Sequence, residues 1–74
     1  MITKEIAKSL VSGTILYHLY KLDSKGQSIK CRANGKCKTW KRMPLSFRLP
    51  VKYGLRECFY IDETNGKDWR REDE

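Results

Sequence analysis

Acidic side chains are missing from the middle of this 74-residue sequence, since residues 24–56 contain neither Asp nor Glu. The same segment holds ten basic residues: Lys25, Lys30, Arg32, Lys36, Lys38, Lys41, Arg42, Arg48, Lys52 and Arg56. The first 23 residues contribute +1 and the last 18 contribute −4, so the net charge of +7 comes from the middle. Self-repulsion on this scale opposes a compact fold. It therefore favours a function with an anionic partner, although a basic surface can also serve solubility alone.

Long apolar runs are also missing, and the N-terminus has no basic segment followed by an apolar stretch. A membrane-spanning helix needs about 20 apolar residues, and a secretory signal peptide needs that N-terminal pattern. We therefore predict a cytoplasmic protein with no membrane partner. Cysteine is scarce: Cys31, Cys37 and Cys58 are odd in number and irregular in spacing, which argues against a secreted disulfide framework.

A chain of this length has room for one hydrophobic core, because a second could not offset its own ordering entropy. We predict one small basic domain over residues 1–74. Within it we expect a helix or arm at 1–12, a β core at 13–62, and a C-terminal turn with an acidic tail at 63–74.

The N-terminal segment predicts a short helix from about Lys4 to Val11. Its apolar residues recur at helical spacing, namely Ile2, Ile6, Ala7 and Leu10. Thr3 is suited to cap the start, and Gly13 is suited to the left-handed position after the end. Because so short a helix is marginal alone, we expect its apolar stripe to dock on the rest of the fold.

Three strands are predicted next. Residues 14–22 are rich in β-formers, and the turn-forming residues 23–26 end that strand. Two alternating runs, 28–33 and 36–42, then flank Asn34-Gly35, which predicts a β-hairpin with a type I′ turn. In a two-residue loop Cys31 opposes Lys38, whereas a three-residue loop with a bulge pairs Cys31 with Cys37.

The remaining chain predicts a loop, two more strands and a tail. Residues 43–46 include Pro44 and are expected to form the loop. Residues 47–53 alternate between apolar and basic, but Pro50 limits them to an edge strand or an extended crossing loop. Residues 56–62 predict the last strand, Trp69 is suited to fold back onto the sheet, and residues 70–74 predict a solvated tail.

The fold class that follows is mainly β (α+β). We expect a small antiparallel sheet, or a partly open SH3-like or OB-like barrel, of four to five strands with a short N-terminal helix. Antiparallel connections are favoured because no linker between strands is long enough for a βαβ crossover.

Basic residues interleaved with aromatic ones form the candidate site. The predicted phosphate contacts are Lys30, Arg32, Lys36, Lys38, Lys41 and Arg42, extended by Arg48, Lys52 and Arg56. Trp40, Tyr53 and Tyr60 offer ring faces on which bases could stack. Trp40 alone is predicted to be a core residue, because the hairpin register sets it opposite Ile29.

A metal site and a catalytic site are both disfavoured. Cys31, Cys37, Cys58 and His18 could supply four zinc ligands, but structural zinc sites usually pair ligands two to four residues apart. Free, reduced cysteines and a packed or surface histidine are the preferred interpretation. We predict no enzyme activity and no cofactor, because the basic segment contains no carboxylate and nothing in the spacing of His18 and the cysteines requires a dyad.

The chain resembles small basic proteins encoded by bacteriophages, which have no assigned activity. The resemblance covers a region of about 30 residues, from 34 to 61, and is carried by the stretches 34–42, 47–55 and 59–61 within it. It implies a phage setting, and hence the host cytoplasm, and it assigns no functional residue. It also raises a rival function, a small modulator or inhibitor that docks on a host protein.

The preferred prediction is a non-enzymatic phage accessory protein that binds a DNA or RNA backbone through the basic hairpin face, with weak sequence preference. The alternative is the host-protein modulator, using the same basic face against an acidic surface. The sequence leaves open DNA against RNA, the host target and the oligomeric state.

Overall fold

The computed structural model describes residues 1–73, which form one helix and a curled antiparallel sheet. The elements are α1 (Lys4–Ser9), β1 (Ile15–Leu22), β2 (Ser28–Ala33), β3 (Lys38–Trp40), β4 (Met43–Tyr53), β5 (Glu57–Asp62), a 3₁₀ turn (Gly66–Asp68) and β6 (Trp69–Arg71). The sheet curls into a half-barrel. The predicted mainly β fold, with a partly open antiparallel barrel and a short N-terminal helix, is confirmed.

The strands occupy five positions across the half-barrel, in the order β5, β4, β2, β1 and β6. Strand β3 lies in the same position as β2, further along the same edge of β4. The registers give this arrangement, because Arg32 pairs with Lys52 and Lys38 pairs with Arg48. Strands β2 and β3 therefore lie end to end along one edge of β4, antiparallel to it, with a break between them.

The predicted hairpin at Asn34-Gly35 is wrong. Strands β2 and β3 do not pair with each other, since both use the 11-residue β4 as their partner. Asn34 follows the same edge of β4, because its amide donates to the Pro50 carbonyl at 2.8 Å. Gly35 has a φ of 141° and lies beside the Pro50 ring. Gly35 has the expected positive φ, but this conformation shifts the register of the chain along β4 and does not form a hairpin turn.

The true hairpin in this region joins β3 to β4. Trp40 pairs with Met43, so residues 41 and 42 form a two-residue connection. The predicted loop at residues 43–46 is wrong, because these residues begin β4. Pro44 is tolerated there because the β3–β4 register shifts between Thr39 and Trp40, which leaves extra residues of β4 without a ladder partner.

The prediction that Pro50 confines its segment to an edge is also wrong, because β4 is a central strand with β5 on one side and β2 and β3 on the other. The Pro50 carbonyl points to Asn34, and its nitrogen lies toward the same edge. That edge is interrupted between Ala33 and Lys38, so the missing amide hydrogen removes no ladder bond there.

Helix α1 forms as predicted and ends at Ser9. The Thr3 hydroxyl accepts the Ile6 amide at 3.3 Å, and Ala7 is buried. Ile2 is also buried, and its amide donates to the Gly66 carbonyl at 2.8 Å. A Cβ at Gly66 would collide with the Ile2 carbonyl oxygen, so glycine is required for this close approach.

The C-terminal segment returns to the sheet, as the sequence predicts for Trp69. His18 pairs with Trp69 and Tyr17 with Arg70, so β6 covers the free edge of β1. The prediction of a solvated tail from residue 70 is wrong for Arg70 and Arg71, which belong to this strand. The last residue of the predicted tail, Glu74, lies outside the described residues.

Alternation along the strands gives the sheet an apolar inner face. Its fully buried members are Leu16, Leu49, Val51 and Ile61, packed with Ile2, Ala7, Cys31, Phe47 and Trp69. Since neighbouring residues of a strand point to opposite faces, this core fixes which side chains point outward. The only α-helix among residues 1–73 has six residues, too few to cross a membrane.

Candidate functional site on the outer sheet face

The outer face of the sheet, defined here by the side chains that alternate with the core, is strongly basic. Its charged members are Lys30 and Arg32 of β2, Lys38 of β3, Arg48 and Lys52 of β4, and Arg70 of β6. Within residues 1–73, Asp62 is the one carboxylate that a strand contributes to this face. Six positive charges on the strands therefore share this surface with one strand carboxylate. Glu63, in the turn after β5, joins Asp62, Trp40 and Arg48 in lining a pocket of about 200 Å³, and its carboxylate accepts the Ser46 hydroxyl and the Phe47 amide.

Two cross-strand pairs on the outer face carry like charges. Arg32 lies directly opposite Lys52, and Lys38 lies directly opposite Arg48. Opposed residues in an antiparallel sheet have Cβ atoms about 4.5–5.5 Å apart, and like charges at that distance destabilise the sheet. Among residues 1–73, Arg32, Lys38 and Lys52 form no salt bridge that would offset the repulsion.

Asp62 lies opposite Arg48, but its carboxylate is held by the turn that follows β5. Its Oδ1 accepts the Thr64 hydroxyl at 2.6 Å and the Thr64 and Asn65 amides at 2.9 and 3.2 Å. The Thr64 hydroxyl is the main reason why the pKa of Asp62 lies below its usual value; the two amides and Arg48 lower it further, and burial opposes them. Most of its hydrogen-bonding capacity is therefore used by the turn.

Arg48 lies between two aromatic rings of the outer face. Its guanidinium carbon is 5.8 Å from the centre of the Trp40 ring and 5.1 Å from that of Tyr60. These residues belong to three adjacent strands, β3, β4 and β5. At the other side of the face, Arg70 lies 4.9 Å from the Tyr17 ring. Each arginine is thereby held in place by a cation–π contact.

The exposure of Trp40 contradicts the prediction that it is a core residue. Its side chain is 41% exposed, whereas Trp69 is 7% exposed and packs in the core. The prediction failed because it assumed a pairing of Trp40 with Ile29, and that hairpin does not form. Trp40 instead shares the outward side of its strand with Lys38.

Five of the nine predicted phosphate contacts meet on the outer face: Lys30, Arg32, Lys38, Arg48 and Lys52. Lys41 and Arg42 lie at its end, in the β3–β4 connection beside Trp40. Arg56 lies in the β4–β5 turn at the opposite end of β4, and Lys36 lines a hollow of about 590 Å³ beside the C-terminal end of α1.

Sequence reasoning missed Arg70 and Tyr17 as members of the outer face. The return of Trp69 to the sheet was the available signal, because a strand with Trp69 facing inward must turn its neighbour Arg70 outward. Assigning the residues after Trp69 to a tail removed Arg70 from consideration.

The three cysteines are free and lie in three different environments. Cys31 is buried in the core, which raises the pKa of its thiol to about 12. Burial also raises the pKa of Cys37, partly offset by a backbone hydrogen bond and by Lys8 and Lys4. Cys58 is exposed on the outer face, opposite Lys52. Neither predicted loop register applies to Cys31 and Cys37, because β2 and β3 are not paired.

His18 is a packed histidine of the inner face. Its ring contacts Tyr20 and Trp69 at centroid distances of 4.5 and 4.9 Å. Its Nδ1 accepts the backbone amides of Tyr20 and Lys21 at 3.3 and 3.1 Å. Within residues 1–73, no three His, Cys, Asp or Glu side chains come together in a way that could hold a metal ion.

Tyr53, the third predicted stacking residue, lies away from the outer face. It pairs with Glu57 on the inner side of β4 and lines a hollow of about 360 Å³ with Phe59 and Trp69. Two of the three predicted aromatic residues, Trp40 and Tyr60, therefore lie among the basic side chains of the outer face, and the third does not.

Comparison with protein-family models, curated proteins and solved structures finds no match to this chain. The functional interpretation therefore depends on the chemistry of the outer face: its charge, its exposed rings and the residues that hold them.

Proposed function

We propose that this chain is a non-enzymatic protein that binds the phosphate backbone of nucleic acid through the outer face of its sheet. In the phage setting that the sequence resemblance implies, it would be an accessory protein acting on DNA or RNA in the host cell. Phosphates suit such a surface, because neutralising them with Lys and Arg releases condensed counterions and makes little demand on geometry.

The observation that carries the proposal is the pair of like-charged cross-strand contacts, Arg32 with Lys52 and Lys38 with Arg48. The Arg32–Lys52 pair, which has no counter-charge among residues 1–73, destabilises the sheet by roughly 0.2–1 kcal/mol. The Lys38–Arg48 pair destabilises it less, because Asp62 on β5 faces Arg48 from the other side. A polyanion laid across these strands removes that repulsion. The unfavourable arrangement in the free protein thus becomes a favourable one in the complex.

The fold also fixes the positions of the charges. Lys30, Arg32, Arg48 and Lys52 project from paired strands of a sheet whose inner face is packed, so a ligand need not order the backbone that carries them. The weak sequence preference follows from the same geometry, because phosphate contacts position a nucleic acid without reading its bases.

The test compares two triple variants of equal charge. Arg32→Ala, Lys38→Ala and Lys52→Ala together remove three outer-face charges. Lys8→Ala, Lys25→Ala and Lys67→Ala remove three exposed charges from the helix, the β1–β2 turn and the 3₁₀ turn. Binding to single- and double-stranded oligonucleotides is measured by fluorescence anisotropy over a series of salt concentrations.

We expect the outer-face variant to flatten the slope of log affinity against log salt by two units or more, at about 0.7–0.9 for each phosphate that the variant no longer neutralises. The control variant should keep most of the wild-type slope. Equal slopes in both variants would refute the outer face as the binding surface.

A host protein with an acidic surface is the competing partner, and a second experiment separates it from nucleic acid. The protein is purified without nuclease and its 260/280 nm ratio is recorded, and a pull-down from nuclease-treated lysate follows. Co-purifying nucleic acid supports the proposal. A stoichiometric acidic protein that survives nuclease, together with no oligonucleotide binding at about 50 mM salt, overturns it.

A further inference from the structure

Exposed aromatic side chains on the basic outer face indicate a contact in addition to general phosphate binding. Trp40 is 41% exposed and Tyr60 is 48% exposed. Both rings contact the Arg48 guanidinium on one side and keep about half of their surface open to solvent. Phosphate binding needs no aromatic ring, so charge alone does not explain this cluster.

The other exposed tyrosines are engaged elsewhere. Tyr20 contacts the His18 ring and lies close enough to Asp68 for that carboxylate to raise the pKa of its hydroxyl. Tyr53 lines the hollow on the inner side.

Tyr17 also lies on the outer face, but it is only partly exposed and its ring contacts Arg70 at the far side of that face. The exposed rings that lie together among the cationic side chains are therefore Trp40 and Tyr60. They lie on strands β3 and β5. Lys38 shares β3 with Trp40, and Arg48 lies on β4 between the two strands.

Rings in this setting can take part in stacking with nucleic-acid bases. A base presents a π-face whatever its identity, so stacking on an aromatic side chain adds affinity without demanding a sequence. The bases of a duplex are already stacked on one another and present only their edges and the backbone. A ligand that uses the rings as well as the charges must therefore have unpaired bases.

We propose that the outer face binds single-stranded nucleic acid, with unpaired bases stacked on Trp40 and Tyr60 and the backbone held by Lys38, Arg48 and their basic neighbours. This inference rests on the proposed function and adds the class of nucleic acid to it. Arg48 has a positioning role, since its guanidinium contacts both rings and so holds Trp40 and Tyr60 on the same part of the outer face.

The test uses three polyanions: oligothymidylate of about 16 nucleotides, a duplex of the same length, and inorganic polyphosphate, which has charge and no bases. Affinities of all variants are measured by isothermal titration calorimetry, and tryptophan fluorescence is recorded as well in the proteins that retain Trp40. Trp69 is 7% exposed in the core, so a change on binding reports on Trp40. We expect oligothymidylate to quench the emission, whereas polyphosphate leaves it nearly unchanged.

The variants are Trp40→Leu with Tyr60→Leu, which remove both rings and keep apolar bulk, and Tyr53→Leu as a matched control on the inner side. We expect the double variant to bind oligothymidylate at least about tenfold more weakly and polyphosphate as wild type does. The Tyr53→Leu variant should bind all three ligands as wild type does. Thermal unfolding checks that each variant remains folded at the temperature of the assay.

The outcomes separate this inference from the function on which it rests. If the double variant keeps wild-type affinity for oligothymidylate, or if duplex binds more tightly than single strand, the stacking inference is overturned and phosphate binding stands. If none of the three polyanions binds at about 50 mM salt, the proposed function itself fails.

Discussion

The two faces of β4 present opposite kinds of side chain. The inner face presents Leu49 and Val51, both 0% exposed, and the outer face presents Arg48 and Lys52. Successive residues of one strand thus alternate between the best-packed part of the core and the most repulsive part of the surface. The comparison separates what stabilises the fold from what the fold presents to a partner.

Apolar burial stabilises this domain against the repulsion on its outer face. A fully buried leucine contributes roughly 1.5–3 kcal/mol through its removal from water. A like-charged cross-strand pair removes roughly 0.2–1 kcal/mol. Because the first effect is larger, the inner face can sustain two repulsive pairs on the outer one.

Substitutions on opposite faces of β4 should therefore change the free energy of unfolding by unequal amounts or in opposite directions. Leu49→Ala leaves a cavity in the core and should lower the free energy of unfolding by about 2–5 kcal/mol. Lys52→Ala, three residues further along the same strand, should leave that free energy unchanged or raise it slightly. Urea denaturation followed by circular dichroism measures both. Equal destabilisation by the two variants would show that Lys52 is a packing residue rather than a surface charge.

The inner face was predictable from the sequence, because its pattern is local. The alternation of Phe47, Leu49 and Val51 with basic residues, and the helical spacing around Ala7, are both present within a few residues of the chain. The docking of α1 and the return of Trp69 followed from the need to cover apolar side chains. Each of these features appears in the structure. Helix α1 ends two residues earlier than predicted, and β4 begins four residues earlier, at Met43.

The pairing of strands was less predictable, because it depends on partners distant in the chain. Asn34-Gly35 has the local chemistry of a hairpin turn. A hairpin would satisfy the backbone hydrogen bonds of residues 28–40 without a third strand. The 11-residue β4 instead pairs with both β2 and β3. This non-local pairing overrides the turn preference, and it exposes Trp40.

The candidate site shows the same division. Lys30 and Arg32 lie on the outer face, as their alternation with the core residues Cys31 and Ala33 predicts. Lys38 does not follow from that pattern, because the predicted two-residue hairpin sets it opposite Cys31, and it reaches the outer face only through the pairing of β3 with β4. The neighbours that these residues acquire, such as Lys52 opposite Arg32, follow only from the register with β4. Sequence reasoning could therefore predict a basic surface but not the like-charged pairs that distinguish it.

Protonation of the buried His18 should destabilise the inner face. Burial lowers the pKa of His18 below 6.5, with Lys21 acting in the same direction and Asp68 opposing both. The unfolded chain then binds the proton more tightly than the folded one. Stability is fully present above about pH 6.5 and falls as the pH drops through the range between the unfolded and folded pKa values.

The measurement for His18 compares urea midpoints at pH 7.5 and pH 5.5. Wild type should lose stability at the lower pH. His18→Asn keeps a side-chain oxygen that can accept the Tyr20 and Lys21 amides but does not titrate, so its loss should be smaller. The window lies well above the titration of Asp62, whose pKa is lowered from an ordinary value of 3.8. An equal loss in both proteins would assign the pH dependence to other groups.

The smallest expected effect is a rise in the free energy of unfolding when a charge is removed from the outer face. Arg32→Gln and Lys52→Gln should each raise the free energy of unfolding by roughly 0.2–1 kcal/mol, because each removes one member of a like-charged pair. The double variant should gain less than the sum of the two single variants, since a single repulsion is removed either way. Lys25→Gln, in the β1–β2 turn, serves as the control for the removal of one positive charge.

Salt distinguishes direct repulsion between these side chains from a general effect of net charge. The screening length falls from about 30 Å at 0.01 M salt to about 3 Å at 1 M, so the gain should be largest at low salt and should nearly vanish at high salt. If Lys25→Gln stabilises the protein as much as Arg32→Gln does, the cause is net charge, and the cross-strand pair has no special role. If the outer-face variants alone gain stability and also bind oligonucleotides more weakly, the same two charges oppose folding and favour binding. That coupling is what we expect of a surface whose charges are compensated only in its complex.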